Sequence, residues 1–164
     1  MSHAQTFEIH IDEGTVNVEF AELPSQREYE LTLQAQGQCQ PEIAIEEREH
    51  SVSVTHTKNC HGNGYREGSI FSLKLPPNAS HNLVLNAGTI KVSGAQLNQL
   101  CSTFSARVAV GGIRNEVALA NVAVERRMVV GAQANYVNKP GEGVFSAATT
   151  ELRLQVRYGE VRIQ

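Results

Sequence analysis

The residues best suited to site chemistry lie in the stretch VTHTKNCHGNGYREG. His56, Cys60 and His61 fall within six positions on a glycine-rich segment, and imidazole and thiolate groups are ligands for zinc and similar metals. Their spacing matches no established zinc pattern, and a fourth ligand would have to come from elsewhere, with His50 and Cys39 as candidates. A plain loop is therefore the preferred interpretation, and metal binding through these three residues is the alternative.

The other reactive residues do not favour catalysis. Cys60 and His61 are adjacent, and neighbours on an extended chain point to opposite sides, so they do not form a nucleophile and base pair. Enzymes that cut polysaccharides need clustered carboxylates, but Asp12 is the only aspartate in the chain and the run EERE is typical of a solvated turn. We predict no catalytic residues, no cofactor and no enzymatic activity, with a carbohydrate-active β-helix enzyme as the alternative.

Length and composition predict one soluble globular domain. The chain has 164 residues, of which 41% are hydrophobic, and a net charge of -3. This balance argues against a dedicated partner among nucleic acids or anionic membranes. The charge is uneven, because residues 1–100 carry 6 basic and 12 acidic side chains whereas residues 101–164 carry 8 and 5. Such asymmetry would support head-to-tail association, although scattered charges most often form a solvated face.

Cysteine count and the amino terminus bear on the compartment. The chain has three cysteines at wide spacings, Cys39, Cys60 and Cys101, and this odd number does not resemble a disulfide framework. If the protein is exported, a disulfide between Cys39 and Cys60 is a possibility. The sequence contains no long apolar run, and MSHAQTFEIHID does not resemble a signal peptide. The sequence as it stands predicts a cytoplasmic protein, or an exported one if a leader has been removed.

Apolar residues alternate along the chain, and the alternation reverses at glycine. In LVLNAGTIKVSG, Leu83 and Leu85 share one face of a strand, whereas Ile90 and Val92, after Gly88, have the opposite parity. A slip of one residue would expose an apolar set unless the backbone bends, and glycine permits such a bend. The alternation reverses in the same way at three further glycines, Gly14, Gly112 and Gly159. Together with Gly88, they are the predicted structural pivots.

Two all-β architectures use a pivot of this kind, the β-solenoid and the antiparallel β-sandwich. Between Gly88 and Gly159, successive glycines at candidate corners lie 19 to 28 residues apart, which is typical of repeat folds. We therefore predict a β-helix-like stack over residues 78–164, with the sandwich as the alternative. Before the pivot at Gly112, the inward-facing residues are predicted to be Val108 and Val110.

Residues 1–77 predict a separate strand layer within the same single domain. The segments YELTLQAQ, PEIAIEE, HSVSVTH and SIFSLKLP read as four strands, the middle two joined by a charged turn into a hairpin. Pro76 and Pro77 end the layer because their nitrogens cannot donate to a ladder. An antiparallel meander is therefore expected before the stack begins.

The stretch SLKLPPNASHNLVLNAGTIKVSG, followed by glycine-centred units, resembles the bacterial "putative adhesin" family of unknown function. The likeness covers residues 40–164 in pattern. Members of that family carry stacked turns of short strands, so the resemblance implies a β-helix-like fold and a role in surface attachment. The sequence departs from the family in its few turn aspartates and its irregular repeat lengths.

The last predicted strand raises the question of partners. Val161 and Ile163 would lie on a final coil with no cap after Gln164, so we expect another copy of the protein to cover uncapped strand edges there. An unknown protein or glycan is the other expected partner. The outward arginines of this strand, which would discourage pairing with other molecules, are Arg153, Arg157 and Arg162.

Overall fold

The computed structural model describes ten strands, and nearly all of the described residues belong to them, which confirms the all-β prediction. The described residues are 6–21, 30–34, 42–49, 51–57, 70–77, 79–96, 101–116, 123–127, 131–137 and 150–164. The strands are β1 (Thr6–Phe20), β2 (Glu30–Gln34), β3 (Glu42–Arg48), β4 (Ser51–Thr57), β5 (Ile70–Leu75), β6 (Ser80–Val92), β7 (Cys101–Asn115), β8 (Ala123–Arg127), β9 (Gly131–Val137) and β10 (Thr150–Ile163).

These strands form one open, mixed sheet. Its centre is four long strands in the order β1–β6–β10–β7, each parallel to its neighbour. On the other side of β1, β4 pairs in parallel with residues 6–11 and β5 pairs in parallel with residues 15–20. Antiparallel strands complete the sheet, with β3 on β4, β2 on β5, and β9 followed by β8 on β7. The all-β class holds, but a solenoid is not shown.

Each long strand bends at a glycine with a positive φ angle. The φ angles of Gly14, Gly88, Gly159 and Gly111 are 150°, 136°, 144° and 134°, and the parallel register places these four glycines side by side. A positive φ is nearly confined to glycine, and the bend reverses the alternation of side chains. Residues of opposite parity before and after the glycine therefore both face inward.

The row of glycines divides the sheet into two leaves. The N-terminal leaf contains the parts of the long strands before their glycines, together with β3, β4, β8 and β9. The C-terminal leaf contains the parts after the glycines, together with β2 and β5. Buried apolar side chains from both leaves form one hydrophobic core, which includes residues on both sides of residue 77.

The glycines are also required because the backbones approach closely. A Cβ atom on Gly88 would lie 1.9 Å from the carbonyl oxygen of Gly14, and one on Gly159 would lie 1.8 Å from that of Gly88. On Gly111 the corresponding distance to the carbonyl oxygen of Gly159 is 1.7 Å. No side chain fits at these separations, so the bend depends on glycine for space as well as for conformation.

The third pivot lies one residue earlier than the sequence predicts. The positive φ belongs to Gly111, which is in register with Gly159, whereas Gly112 is in register with Glu160 and has open space where a Cβ would lie. This shift places Val110 at the bend itself, and its side chain is 39% exposed instead of facing inward as predicted. Val108 is buried as expected.

The prediction that the last strand is an uncapped end is wrong. β10 lies between β6 and β7 and pairs in parallel with both. Val161 and Ile163 are both fully buried. The final strand of the sequence is thus a central strand of the sheet, because two parallel ladders enclose it.

The strands of residues 30–75 partly follow the expected layer. β3 and β4 form the predicted antiparallel hairpin, with Arg48 in register with Ser51. β2, however, pairs with β5 and not with β3. β4 and β5 run in the same direction along β1, one in each leaf, so a simple meander is not formed.

His81 is a polar side chain within the apolar core and is 2% exposed. Its ring stacks on Phe7 with the centroids 5.1 Å apart and packs against Phe20 at 5.5 Å. Nε2 lies 2.9 Å from the carbonyl oxygen of Pro76, and since a carbonyl only accepts, Nε2 carries the proton. Burial lowers the pKa of His81 to about 4, against the opposing effect of the Pro76 hydrogen bond. The imidazole is therefore neutral at pH 7.

Candidate functional site

The outer face of the N-terminal leaf carries two rows of polar residues that cross the four long strands. Alternate residues of a strand point to the same face, so the in-register pairing lines them up from strand to strand. The first row, in sheet order, is Thr6, Ser80, Glu151 and Thr103. The second row, two residues further along each strand, is Glu8, Asn82, Arg153 and Ser105.

These two rows line a groove with a volume of about 680 Å³. Its remaining lining comes from the residues between the rows on β6, β7 and β10, whose side chains are buried: His81, Phe104 and Leu152. The groove therefore lies on a sheet whose opposite side is anchored in the core. Such a platform fixes the backbone positions from which its polar side chains extend, which lowers the entropic cost of binding.

Hydrogen bonds between neighbouring strands orient the groove residues. The Asn82 side-chain amide donates to Glu8 at 2.9 Å, and the Ser80 hydroxyl donates to Glu151 at 3.2 Å. His10 Nε2 lies 4.0 Å from the same Glu8 oxygen that accepts from Asn82. Both carboxylates are thus directed towards β6, the strand that lies between β1 and β10.

Asn82 holds a polar atom that its surroundings do not satisfy. Its Oδ1 atom is buried and has no hydrogen-bond partner in the described part of the chain. A buried acceptor without a donor costs about 1–3 kcal/mol. A small local movement that exposes this oxygen to a ligand's donor would therefore improve the free energy of the site.

The chemical groups of the groove are suited to holding a polar ligand. Hydroxyls both donate and accept, carboxylates accept, and the Arg153 guanidinium donates in a planar fork. The set carries both signs of charge, since Glu8 and Glu151 are acidic and Arg153 is basic. Groups of this kind in alternation match a ligand rich in hydroxyls better than a purely anionic or purely apolar one.

Most of the residues proposed as metal ligands from the sequence lie outside the described residues. These are Cys60 and His61, together with His50 and Cys39 as possible additions. The backbone of His56 belongs to β4 and is in register with Ile11 and Ile43. Among the residues that the structure describes, no cluster of three or more His, Cys, Asp or Glu is placed to hold a metal ion. Metal binding stays an untested prediction.

The three arginines predicted to face outward on the last strand do not lie in one leaf. Arg153 and Arg157 precede the Gly159 bend and belong to the N-terminal leaf, whereas Arg162 follows it. Arg162 is paired with Glu160, and Glu160 also lies 3.2 Å from Arg114 Nε on β7. The sequence reasoning identified Arg153 as outward-facing but missed its role in the groove, since its neighbours come from distant segments.

Comparisons with known proteins give little further information. No protein-family model matches the chain, and no curated protein matches it. One solved structure, described as a "putative cell adhesion protein" from Clostridium sporogenes, matches with a TM-score of 0.46 at 9% identity. The match covers 98% of this chain and 92% of that one. A likeness at this level carries no argument about function.

Within the described ranges, no helix has the length and apolar character needed to cross a bilayer.

Proposed function

We propose that the protein is a non-catalytic binding module that holds a segment of a glycan in the groove of its N-terminal leaf. The observation that carries the proposal is the pair of polar rows across four in-register strands, which line a space of about 680 Å³. A surface-attachment role of the kind that the adhesin-like resemblance implies would use such a groove, and so would a scaffold that collects glycans.

Binding should depend most on the second row. Asn82 combines a donor that is already oriented by Glu8 with an acceptor that lacks a partner, and Arg153 is the cation of the groove. Loss of a hydrogen bond to a charged group costs about 1.5–3 kcal/mol, and 1.4 kcal/mol is a tenfold change in affinity. We therefore expect Arg153→Ala to weaken glycan binding at least about tenfold. Asn82 is neutral, and a neutral hydrogen bond contributes about 0.5–1.5 kcal/mol, so Asn82→Ala should weaken binding about two- to tenfold.

The test is a screen of defined oligosaccharides against the wild-type protein, followed by calorimetric titration of the best binder. The matched controls are Asn17→Ala and Arg162→Ala, which remove the same residue types from the outer face of the C-terminal leaf. Unchanged affinity in the controls and weakened affinity in the groove variants would support the proposal. No binding by the wild-type protein, or equal losses in all four variants, would contradict it.

Glycan hydrolysis is the second candidate because the groove contains two carboxylates, Glu8 and Glu151. Their strands are separated by one strand and the two residues are offset by two positions, so their backbones stand roughly 12 Å apart. Both side chains are directed towards the strand between them, and glycosidases place their carboxyl groups within about 10 Å of each other. Incubating the wild type, Glu8→Gln and Glu151→Gln with the bound oligosaccharide distinguishes the two candidates. Release of new reducing ends by the wild type and by neither variant would replace the binding proposal with an enzymatic one.

A further inference from the structure

The N-terminal leaf is a continuous set of eight strands whose two outermost members are β3 and β8. Its order is β3–β4–β1–β6–β10–β7–β9–β8. In the described part of the chain, β3 pairs with β4 alone and β8 pairs with β9 alone. An outer strand presents backbone donors and acceptors that a further strand is able to use.

The two outer strands carry opposite charge. β3 and the residue after it contain Glu42, Glu46, Glu47, Arg48 and Glu49, so this edge is strongly acidic. The sequence of β8 has Arg126 and Arg127 against Glu125, so its formal charge is opposite in sign to that of β3. The edges are therefore complementary to each other and not to themselves.

The strands inside the leaf continue the same trend. The part of β1 in this leaf carries three acidic residues and no Lys or Arg: Glu8, Asp12 and Glu13. On the other side of β6, the parts of β10 and β7 in this leaf carry three arginines, Arg153, Arg157 and Arg107, and one acidic residue, Glu151. The fold thus converts the difference in charge between the two parts of the sequence into a gradient along one sheet.

β3 is also unusually accessible for a strand. All seven of its residues are exposed, including Ile43 at 37% and Ile45 at 48%. Pairing with another strand would cover these two side chains as well as the backbone. Burial of apolar area contributes favourably to such an association.

The strand directions allow the two edges to join. β3 is antiparallel to β4, which runs with the four long strands, whereas β8 runs in the same direction as β7, because β9 is antiparallel to both. Two copies placed side by side in the same orientation would therefore bring β8 of one against β3 of the next as an antiparallel pair. Antiparallel pairing places side chains directly opposite each other, where unlike charges attract.

We propose that β8 of one copy pairs with β3 of the next, so that copies of this protein assemble head to tail. Like charges oppose the pairing of β3 with β3, so the charges select one partner edge. An interface between two different surfaces of the same chain does not close on itself unless the rotation between copies forms a ring. The product is an open array or a large ring. The two pairing edges, β3 and β8, contain none of the groove residues, so the inference stands independently of glycan binding.

The test uses charge reversal at each edge. The variant Glu46→Lys/Glu47→Lys makes β3 basic, and the variant Arg126→Glu/Arg127→Glu makes β8 acidic. The mass of the wild type is measured by sedimentation at 50 mM and 500 mM NaCl. This mass should rise above the 17.9 kDa of one chain as the protein concentration increases, and the rise should be larger at the lower salt concentration. Each variant alone should remain at the mass of one chain, and an equal mixture of the two should associate again.

Matched variants separate the edges from total charge. Glu19→Lys/Glu116→Lys and Lys74→Glu/Lys91→Glu make the same charge changes away from both edges and should associate as the wild type does. Circular dichroism identifies any variant that does not fold, and each edge variant tests the proposal by itself. A wild type that stays at one chain under all conditions, folded edge variants that associate normally, or a mixture that does not recover would each overturn the inference.

Discussion

The row of glycines at the bend makes a sharp prediction, because Gly111 and Gly112 are adjacent yet have opposite surroundings. At Gly111 a Cβ atom would lie 1.7 Å from the Gly159 carbonyl oxygen and φ is 134°, whereas at Gly112 no atom lies within 4 Å of such a Cβ. Backbone strain of this kind costs about 1–3 kcal/mol. Separating the strands to relieve the overlap also disrupts ladder hydrogen bonds worth about 1 kcal/mol each.

We therefore expect Gly111→Ala to lower the free energy of unfolding by about 3–5 kcal/mol. Gly112→Ala should change it by less than about 1 kcal/mol, with either sign, because alanine also reduces the entropy of the unfolded chain. At about 2–4 °C per kcal/mol, Gly111→Ala should lower the Tm by roughly 10 °C.

Urea unfolding followed by circular dichroism, with calorimetry for Tm, measures both variants under the same conditions. The comparison controls for composition, since both variants make the same chemical change one residue apart. Equal losses in the two variants, or a larger loss in Gly112→Ala, would refute the assignment of the bend to Gly111 and with it the register of β7 against β10.

Two further predictions concern the core. Burial lowers the pKa of His81 to about 4, so between pH 6.5 and 4 the unfolded chain binds a proton that the folded chain does not. The free energy of unfolding should therefore fall by about 3 kcal/mol as the pH drops through this range. Urea unfolding of His81→Phe at the two ends of the range should lack this loss, and an equal pH dependence in the variant and the wild type would contradict the prediction. Val108→Ser should lower the free energy of unfolding by about 2–3 kcal/mol because Val108 is buried. Val110→Ser should lower it by less than about 0.5 kcal/mol because Val110 is exposed. Equal losses in urea unfolding would show that the alternation does not break at Gly111.

The local features of the fold were predictable because they depend on near neighbours in sequence. Reversal of the alternation identified Gly14, Gly88 and Gly159 as bends, and each has a positive φ. At the third position two glycines are adjacent, and the apolar pattern does not distinguish them. Only the register with Gly159 decides in favour of Gly111.

The order of the strands was not predictable, and the groove depends on it. β10 enters the sheet between β6 and β7, although residues 93–149 separate it from β6 and residues 116–149 separate it from β7 along the chain. Alternation predicts which residues of a strand point outward, but any of several parallel registers would satisfy it. Asn82 and Arg153 become neighbours only through that insertion.

The most direct test of glycan binding is a nuclear magnetic resonance titration of the wild-type protein with the best oligosaccharide from the screen. The account predicts that shift changes concentrate on the Asn82 side-chain amide and on the backbone amides of Ser105 and Arg153, with little change at Asn17 and Thr89 on the other leaf. Changes concentrated on the C-terminal leaf, or none at saturating oligosaccharide, would contradict it.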